Sequence, residues 1–257
     1  MSIIEQMQPI GLDDMKAVRL MNRVDQKYMV PAGLLEELLS RIAEGYYVQQ
    51  IEGNALAPYR TLYFDTANLA MYTMHHNKKL NRQKLRVRTY RSTETTYFEI
   101  KNKDNKKKTR KIRIPIDIGM FDRVADVPEV RDFVEKSTPY CFNSQFSSFN
   151  LHECLENRFE RITLVDKGMS ERVTVDSGIT FHNRATSIDA DISRLLVIEV
   201  KHEVGAPQSS IERALHEMHI LPRRMSKYCI GTALTDPSVK HNRFKPKLLF
   251  IDKIHTS

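Results

Sequence analysis

Asn81–Tyr90 reads NRQKLRVRTY, Thr96–Lys103 reads TYFEIKNK and Lys108–Ile114 reads KTRKIRI, with short polar turns between them. With a period of two, Arg82, Lys84, Arg86, Arg88 and Tyr90 fall on one parity, and Leu85, Val87 and Thr89 on the other. Glu99, Lys101 and Lys103 oppose Phe98 and Ile100; Lys111 and Arg113 oppose Ile112 and Ile114. Side chains alternate between the faces of a strand, so this is a three-stranded meander with one apolar and one densely charged face. Like charges opposite one another across a ladder are destabilising, and such a face needs open water or a polyanion. Lys106, Lys107 and Lys108 are expected at a solvated hairpin tip.

The same design recurs along the chain. Arg23, Asp25 and Lys27 oppose Val24, Tyr28 and Val30, while Glu199, Lys201 and Glu203 oppose Leu196, Ile198 and Val200. Further strands are expected at 46–51, 59–65, 158–165 and 171–176, the last followed by a turn at Ser177-Gly178. Helices are expected at 11–21, at 31–44 behind Pro31, at 67–77, at 128–136, from Pro207 to His219, and in the run entered through Ser226 as N-cap. Leu34, Leu35, Leu38, Leu39 and Ile42 form an apolar stripe at helical spacing. The helices need an apolar surface to cover, and the strands supply one. The arrangement that meets both needs is an α+β fold. It is a closed antiparallel barrel with a charged interior, clad by amphipathic helices. About eight strands enclose room for one small ligand, and a bore walled by guanidinium and ammonium groups suits a linear phosphate chain.

The chain has 257 residues and a net charge of +8. One domain is expected over 1–257, with a core at about 20–235 and a loosely attached basic tail at 238–257. The charge favours an acidic or phosphorylated partner. Three widely spaced cysteines without a CxxC, an acidic start lacking a long apolar segment, and no run of membrane-spanning length point to a soluble cytoplasmic protein. No GxxxxGK[ST], GxGxxG or HExxH occurs. His216 and His219 are expected on a helix surface, and the Ser226-Lys227 dipeptide has its explanation in the cap. Glu199 stands among residues suited to burial, where a carboxylate needs a partner. It is either salt-bridged within the basic face or an oxygen ligand for Mg²⁺ or Mn²⁺. Glu99 has the same context, with Lys101 and Lys103 expected to neutralise it.

RVDQKYMV, RQKLRVRTY, YFEIKNK, FERITL with ERVTVD, VIEVK and RRMSKY, in that order from about Leu20 to Tyr228, resemble the polyphosphate polymerase domain of the vacuolar transporter chaperone family. That domain has the triphosphate tunnel metalloenzyme fold. The resemblance implies that Lys27, Arg86, Arg88, Lys101, Arg161, Arg172 and Lys227 grip the phosphates of ATP and a growing polyphosphate. Lys84, Lys111, Arg113 and Lys201 would extend the basic wall, and Glu199 would hold Mn²⁺ or Mg²⁺. Nucleic acid is not the expected partner. Two departures stand out. Phe159 replaces the family's tyrosine, and the phosphate-sensing domain and membrane helices of translocating members are missing. The expected product is therefore released in the cytoplasm or passed to a membrane-protein partner. The ExExK signature of the fold's triphosphatases would fall at Arg23, Asp25 and Lys27, where arginine replaces the first acid. That argues for phosphoryl transfer over triphosphate hydrolysis.

Overall fold

A computed structural model describes residues 2–17, 23–106, 108–137, 150–206 and 209–256. Its strands are β1 (Pro9–Ile10), β2 (Arg23–Pro31), β3 (Tyr46–Gln49), β4 (Ala57–Asp65), β5 (Arg82–Tyr90), β6 (Thr95–Lys103), β7 (Thr109–Ile116), β8 (His152–Asp166), β9 (Glu171–Asn183), β10 (Asp189–Asp191) and β11 (Leu195–Glu203). Its α-helices are α1 (Ile3–Gln6), α2 (Leu35–Ile42), α3 (Ala70–His76), α4 (Pro128–Lys136), α5 (Ser210–Glu217), α6 (Lys227–Thr235) and α7 (Lys245–Thr256). The rest of the helix expected at 11–21, beyond a 3₁₀ turn at Asp14–Ala17, lies outside the described residues, as do Lys107, Cys141 and Pro207.

The main sheet runs β2-β11-β9-β8-β4-β5-β6-β7, every neighbouring pair antiparallel. β3 pairs with the far end of β8, and β1 and β10 add short ladders. The apolar strand faces are covered as the patterning requires. Tyr28, Val30, Ile198, Val173 and Leu164 pack against Leu38, Leu39 and Ile42 of α2 and Ile211 and Leu215 of α5. Leu62, Leu85, Val87, Phe98 and Ile100 pack under Met71 of α3 and Val130 and Val134 of α4.

The sheet curls strongly. Lys27 on β2 and Lys101 on β6 are six ladder steps apart, roughly 29 Å in a flat sheet at about 4.8 Å per step. Yet the neighbouring residues Ser226 and Lys227 reach Lys84 on β5 and Asp176 on β9 at the same time, which requires the two arms of the sheet to turn toward one another. The expected hydrogen-bonded closure is not formed: among the described residues β2 and β7 pair with no common partner and not with each other, leaving two edges. β7 is built as an edge. Pro115 has no N–H to donate, and Lys111 and Arg113 keep water on that side.

Three other expectations change. Ser177-Gly178 is not a turn but a bulge inside a continuous β9, where the register against β8 shifts between Arg158 and Glu160. Gly178 takes a left-handed φ of 58° there, a conformation that favours glycine. β8 begins at His152, well before the expected 158. The basic C-terminus is not loose: α7 buries Ile251 and packs Leu248, Phe250 and Ile254 into the cluster around Cys229 and Ile230. Arg194 Nη1 donates to His255 O at 3.1 Å, and Tyr72 Oη to Lys240 O at 3.0 Å.

Candidate active site

The register brings the charged strand faces together. Lys27 is directly opposite Glu199, Glu199 opposite Thr174, Lys201 opposite Arg172, and Arg161 opposite Asp176. On the other arm Arg86 faces Glu99 and Tyr63, Lys84 faces Lys101, Lys101 faces Lys111, and Glu99 faces Arg113. Arg88 faces Thr61, to whose Oγ1 its Nε donates at 3.3 Å. Helix α6 joins this face from outside the sheet. Gly231 lets it lie close: a Cβ there would stand 2.6 Å from Leu155 Cδ2. Ser226 caps the helix as expected, accepting from Cys229 N at 3.3 Å, and also accepts from Lys84 Nζ at 2.7 Å.

Three acids organise the cations. Glu199 accepts from Lys27 and from Lys201, the latter at 2.7 Å. Asp176, 3% exposed, takes a two-point contact from Arg161 (Nε to Oδ1 2.6 Å, Nη2 to Oδ2 2.9 Å) and a third from Lys227. Glu99 accepts from Arg86 Nε at 2.8 Å and is ion-paired with Lys111. Lys101 and Lys103, expected to neutralise Glu99, do not. Arg86 stands directly opposite Glu99 across one ladder and Lys111 diagonally across the other, and these cross-strand partners prevail.

Burial alone would raise all three carboxyls. Lys201 and Lys27 instead hold Glu199 well below the usual carboxylate range, and Arg161 and Lys227 do the same for Asp176. Glu99 is lowered to about 2 by Arg86 and Arg88 against its burial. Lys101 is exposed to solvent, with the cations of β5 crowding it. Loss of surrounding water and the charges of Lys84 and Arg86 bring it down to about 8. Burial also lowers Lys84 and Lys227. The cations outnumber the acids, so the face is poised for more negative charge.

Sequence reasoning missed Asp176 and Tyr63. Asp176 shares the parity of Arg172 and Thr174, a signal that was present; its partners depend on a register that no local pattern reports. Burial would raise the Tyr63 phenol, but Arg86, Arg88, Lys84 and Lys227 together lower it, marking the point where four cations converge. Phe159 is packed between a ring and a cation of this face. Its ring stacks on Tyr59 at 5.0 Å and lies under Lys227 Nζ at 4.3 Å.

Among the described residues no group of three His, Cys, Asp or Glu side chains could hold a metal. One carboxylate suffices for Mg²⁺ or Mn²⁺ when phosphate oxygens and water fill the shell. Glu199 stays ionised, and among the described residues the buried Thr174 Oγ1 directly across from it has no hydrogen-bond partner. This hard-oxygen pair fits such an ion. Among the described residues, no helix is long and apolar enough to cross a membrane.

A search of curated proteins found no match. Among solved structures, HpAC1 from Hippeastrum, a proposed adenylyl cyclase with a dominant triphosphatase activity, aligns with a TM-score of 0.52 at 13% identity. The alignment covers 84% of this chain and 97% of that one. A proposed adenylate cyclase from Bacillus halodurans aligns at 0.49 and 14% identity, covering 80% and 94% respectively. The likeness to the Hippeastrum protein is one of fold. The family described as VTC domain matches residues 22–235, from the strand carrying Lys27 to the end of the helix carrying Lys227. The chain belongs to the VTC domain family.

Proposed function

We propose that the chain transfers the γ-phosphoryl group of ATP to the end of a growing inorganic polyphosphate. The observation that carries this reading is the gathering of Lys27, Lys84, Arg86, Arg88, Lys101, Arg161 and Lys227 on one curled face, in excess of the acids beside them. A terminal oxygen of the acceptor attacks the γ-phosphorus, the bond from that phosphorus to the bridging oxygen breaks, and ADP leaves. Such a reaction needs alignment and charge neutralisation more than acid–base chemistry.

Arg86, Arg88, Arg161 and Lys227 grip the transferred group. Lys27, Lys84, Lys101, Lys111, Arg113, Arg172 and Lys201 hold the donor and the chain. Glu199 with Thr174 would hold Mn²⁺ or Mg²⁺, which when bound neutralises charge on the phosphate oxygens. The seam between β2 and β7 lets the curled sheet act as the bore without a closing ladder, and residues 1–257 act as one unit. The free buried thiols of Cys154 and Cys229 support a reducing, cytoplasmic setting.

One observation favours a second reading, triphosphate hydrolysis: the Hippeastrum protein of similar fold is a triphosphatase. Arg23, standing where the hydrolytic signature wants an acid, weighs against it. The test is to incubate purified protein with ATP and Mn²⁺ and resolve the products on a gel. Polyphosphate chains are expected, and Glu199→Gln should abolish them. Orthophosphate alone selects hydrolysis. Neither product, with salt-sensitive polyanion binding, leaves only a binding module.

A further inference from the structure

Helix α7 lies beyond the residues that match the family, and it does more than bury an apolar stripe. The turn before it (Asn242–Phe244) is stitched to the end of α3. Phe244 meets His76 edge-on at 5.4 Å and Tyr72 at 5.9 Å, and Arg243 N donates to His76 Nε2 at 3.4 Å. Lys247 Nζ stands 5.8 Å from the same Phe244 ring. Farther along α7, Phe250 carries the Arg223 guanidinium at 4.2 Å, while Arg223 N donates to Lys27 O at 2.6 Å. Ser226, in the same connecting segment, accepts from Lys84. The end of α3, the start of α7 and the segment around Arg223 are thereby gathered beside Lys84 on β5.

What these pieces bring is positive charge. Lys78 follows α3, Lys247 stands on α7 and Arg223 lies between them. Arg82 is the next residue of the charged parity of β5 beyond Lys84, opposite Lys103. His75 sits among them: burial and the charges of Lys84, Arg82, Lys247 and Lys103 bring its imidazole down to about 2. Burial lowers Lys247 too, and Arg223 and Lys78 add to the effect. Among the described residues none of Lys78, Arg82, Arg223 and Lys247 is ion-paired with a carboxylate. The bore is different, because there Glu99, Asp176 and Glu199 each hold two cations. An ordinary solvated surface spreads its lysines apart, whereas here Arg223 and Lys247 are half-buried and face further cations. A linear polyanion laid across them relieves that repulsion.

We infer that Lys78, Arg82, Arg223 and Lys247 form a polyanion track outside the bore, which takes a polyphosphate chain onward from Lys84. The inference rests on the phosphoryl-transfer reading for the identity of the chain. It adds a second binding surface, supplied in part by a helix outside the shared domain, and it makes the grip depend on chain length. A triphosphate occupies the bore alone, whereas a longer chain reaches Lys247 and Lys78 as well.

The test titrates the full chain with inorganic triphosphate and with long-chain polyphosphate at low salt. It compares the wild type, the double variant Lys78→Ala/Lys247→Ala, and Lys167→Ala at the distant β8–β9 turn as a control for net charge. An exposed ion pair contributes up to about fivefold, so the double variant should hold the long chain at least about threefold more weakly. Its salt dependence should also be shallower, by ~1 in logarithmic slope for each lysine lost. Its triphosphate affinity should equal that of the wild type, which also shows that it folds, and Lys167→Ala should bind both ligands as the wild type does. Unchanged long-chain binding in the double variant, an equal loss for both ligands, or an equal loss in Lys167→Ala would overturn the track. The two readings fail separately. A double variant that loses only the long chain, in a protein that builds no chain from ATP, keeps the track as a polyanion site and refutes phosphoryl transfer.

Discussion

Asp176 holds two cations that the proposed reaction needs, and replacing it separates preorganisation from binding. In Asp176→Asn the side chain keeps its shape but loses its charge, and Arg161 and Lys227 are left close together without a counter-ion. Removing one partner of a buried ion pair costs about 3–5 kcal/mol. Arg161 keeps a side-chain exposure of 17%, and the amide still accepts a hydrogen bond, which argues for about 3 kcal/mol here. For a chain of this size that lowers the melting temperature by roughly 6–12 °C. Triphosphate then acts as the replacement anion. In the wild type it must compete with Asp176 for Arg161 and Lys227; in the variant it does not. If its Kd tightens tenfold, saturating ligand returns about 1.4 kcal/mol more to the variant than to the wild type, narrowing the gap by roughly 3–6 °C. The assay is a pair of thermal melts with and without inorganic triphosphate, at low salt. A variant that melts with the wild type, or equal triphosphate shifts for both proteins, would show that Asp176 is not the counter-ion a phosphate displaces.

Lys101 makes phosphate binding pH-dependent. Its ammonium loses its proton near pH 8 in the free protein, while a phosphate chain beside it favours the charged form. Binding just above pH 8 therefore takes up a proton, and triphosphate affinity falls as pH rises from there; calorimetry in buffers of different ionisation enthalpy reads the uptake, and Lys101→Met should remove it. Gly231→Ala tests how closely α6 must approach the sheet, because the new methyl meets Phe181 and Leu155. Overpacking of this kind costs about 1–3 kcal/mol. The change should appear as a lower melting temperature together with weaker triphosphate binding, since Lys227 and the Lys84–Ser226 contact ride on that helix.

Much of this was legible because alternation is a local property. A period-two count put Lys27, Arg86, Lys101 and Glu199 on polar strand faces, Arg161 came from the family resemblance alone, and the helical stripe of α2 told which face it would cover. Ser226 could be named as a cap because capping is settled within one turn. The basic C-terminus misled because charge was weighed over periodicity. Leu248, Ile251 and Ile254 recur at helical spacing, and Lys245 and Lys253 on the same helix remain in water while that stripe packs. Ser177-Gly178 misled because a glycine able to take positive φ serves a turn and a bulge equally well.

What alternation cannot supply is the partner across the ladder. Glu99 is followed in sequence by Lys101 and Lys103, yet its charge goes to Arg86, directly opposite on β5, and to Lys111, diagonally across on β7. Asp176 was passed over for the same reason: nothing near it in ERVTVD shows that Arg161 and Lys227 will reach it from another strand and a helix. Closure escaped similarly, because a pattern that assigns faces is the same for a sheet that curls with a seam and one that seals. The feature that separates the two cases is Pro115, a residue that cannot donate to a further strand, set in the last strand of the meander. Pro115 takes one donor away from β7, in keeping with its place at an edge. The charged face would still have had to meet itself across the bend, since the like charges of Lys84, Lys101 and Lys111 in adjacent register are tolerable only where an anion or water lies between them.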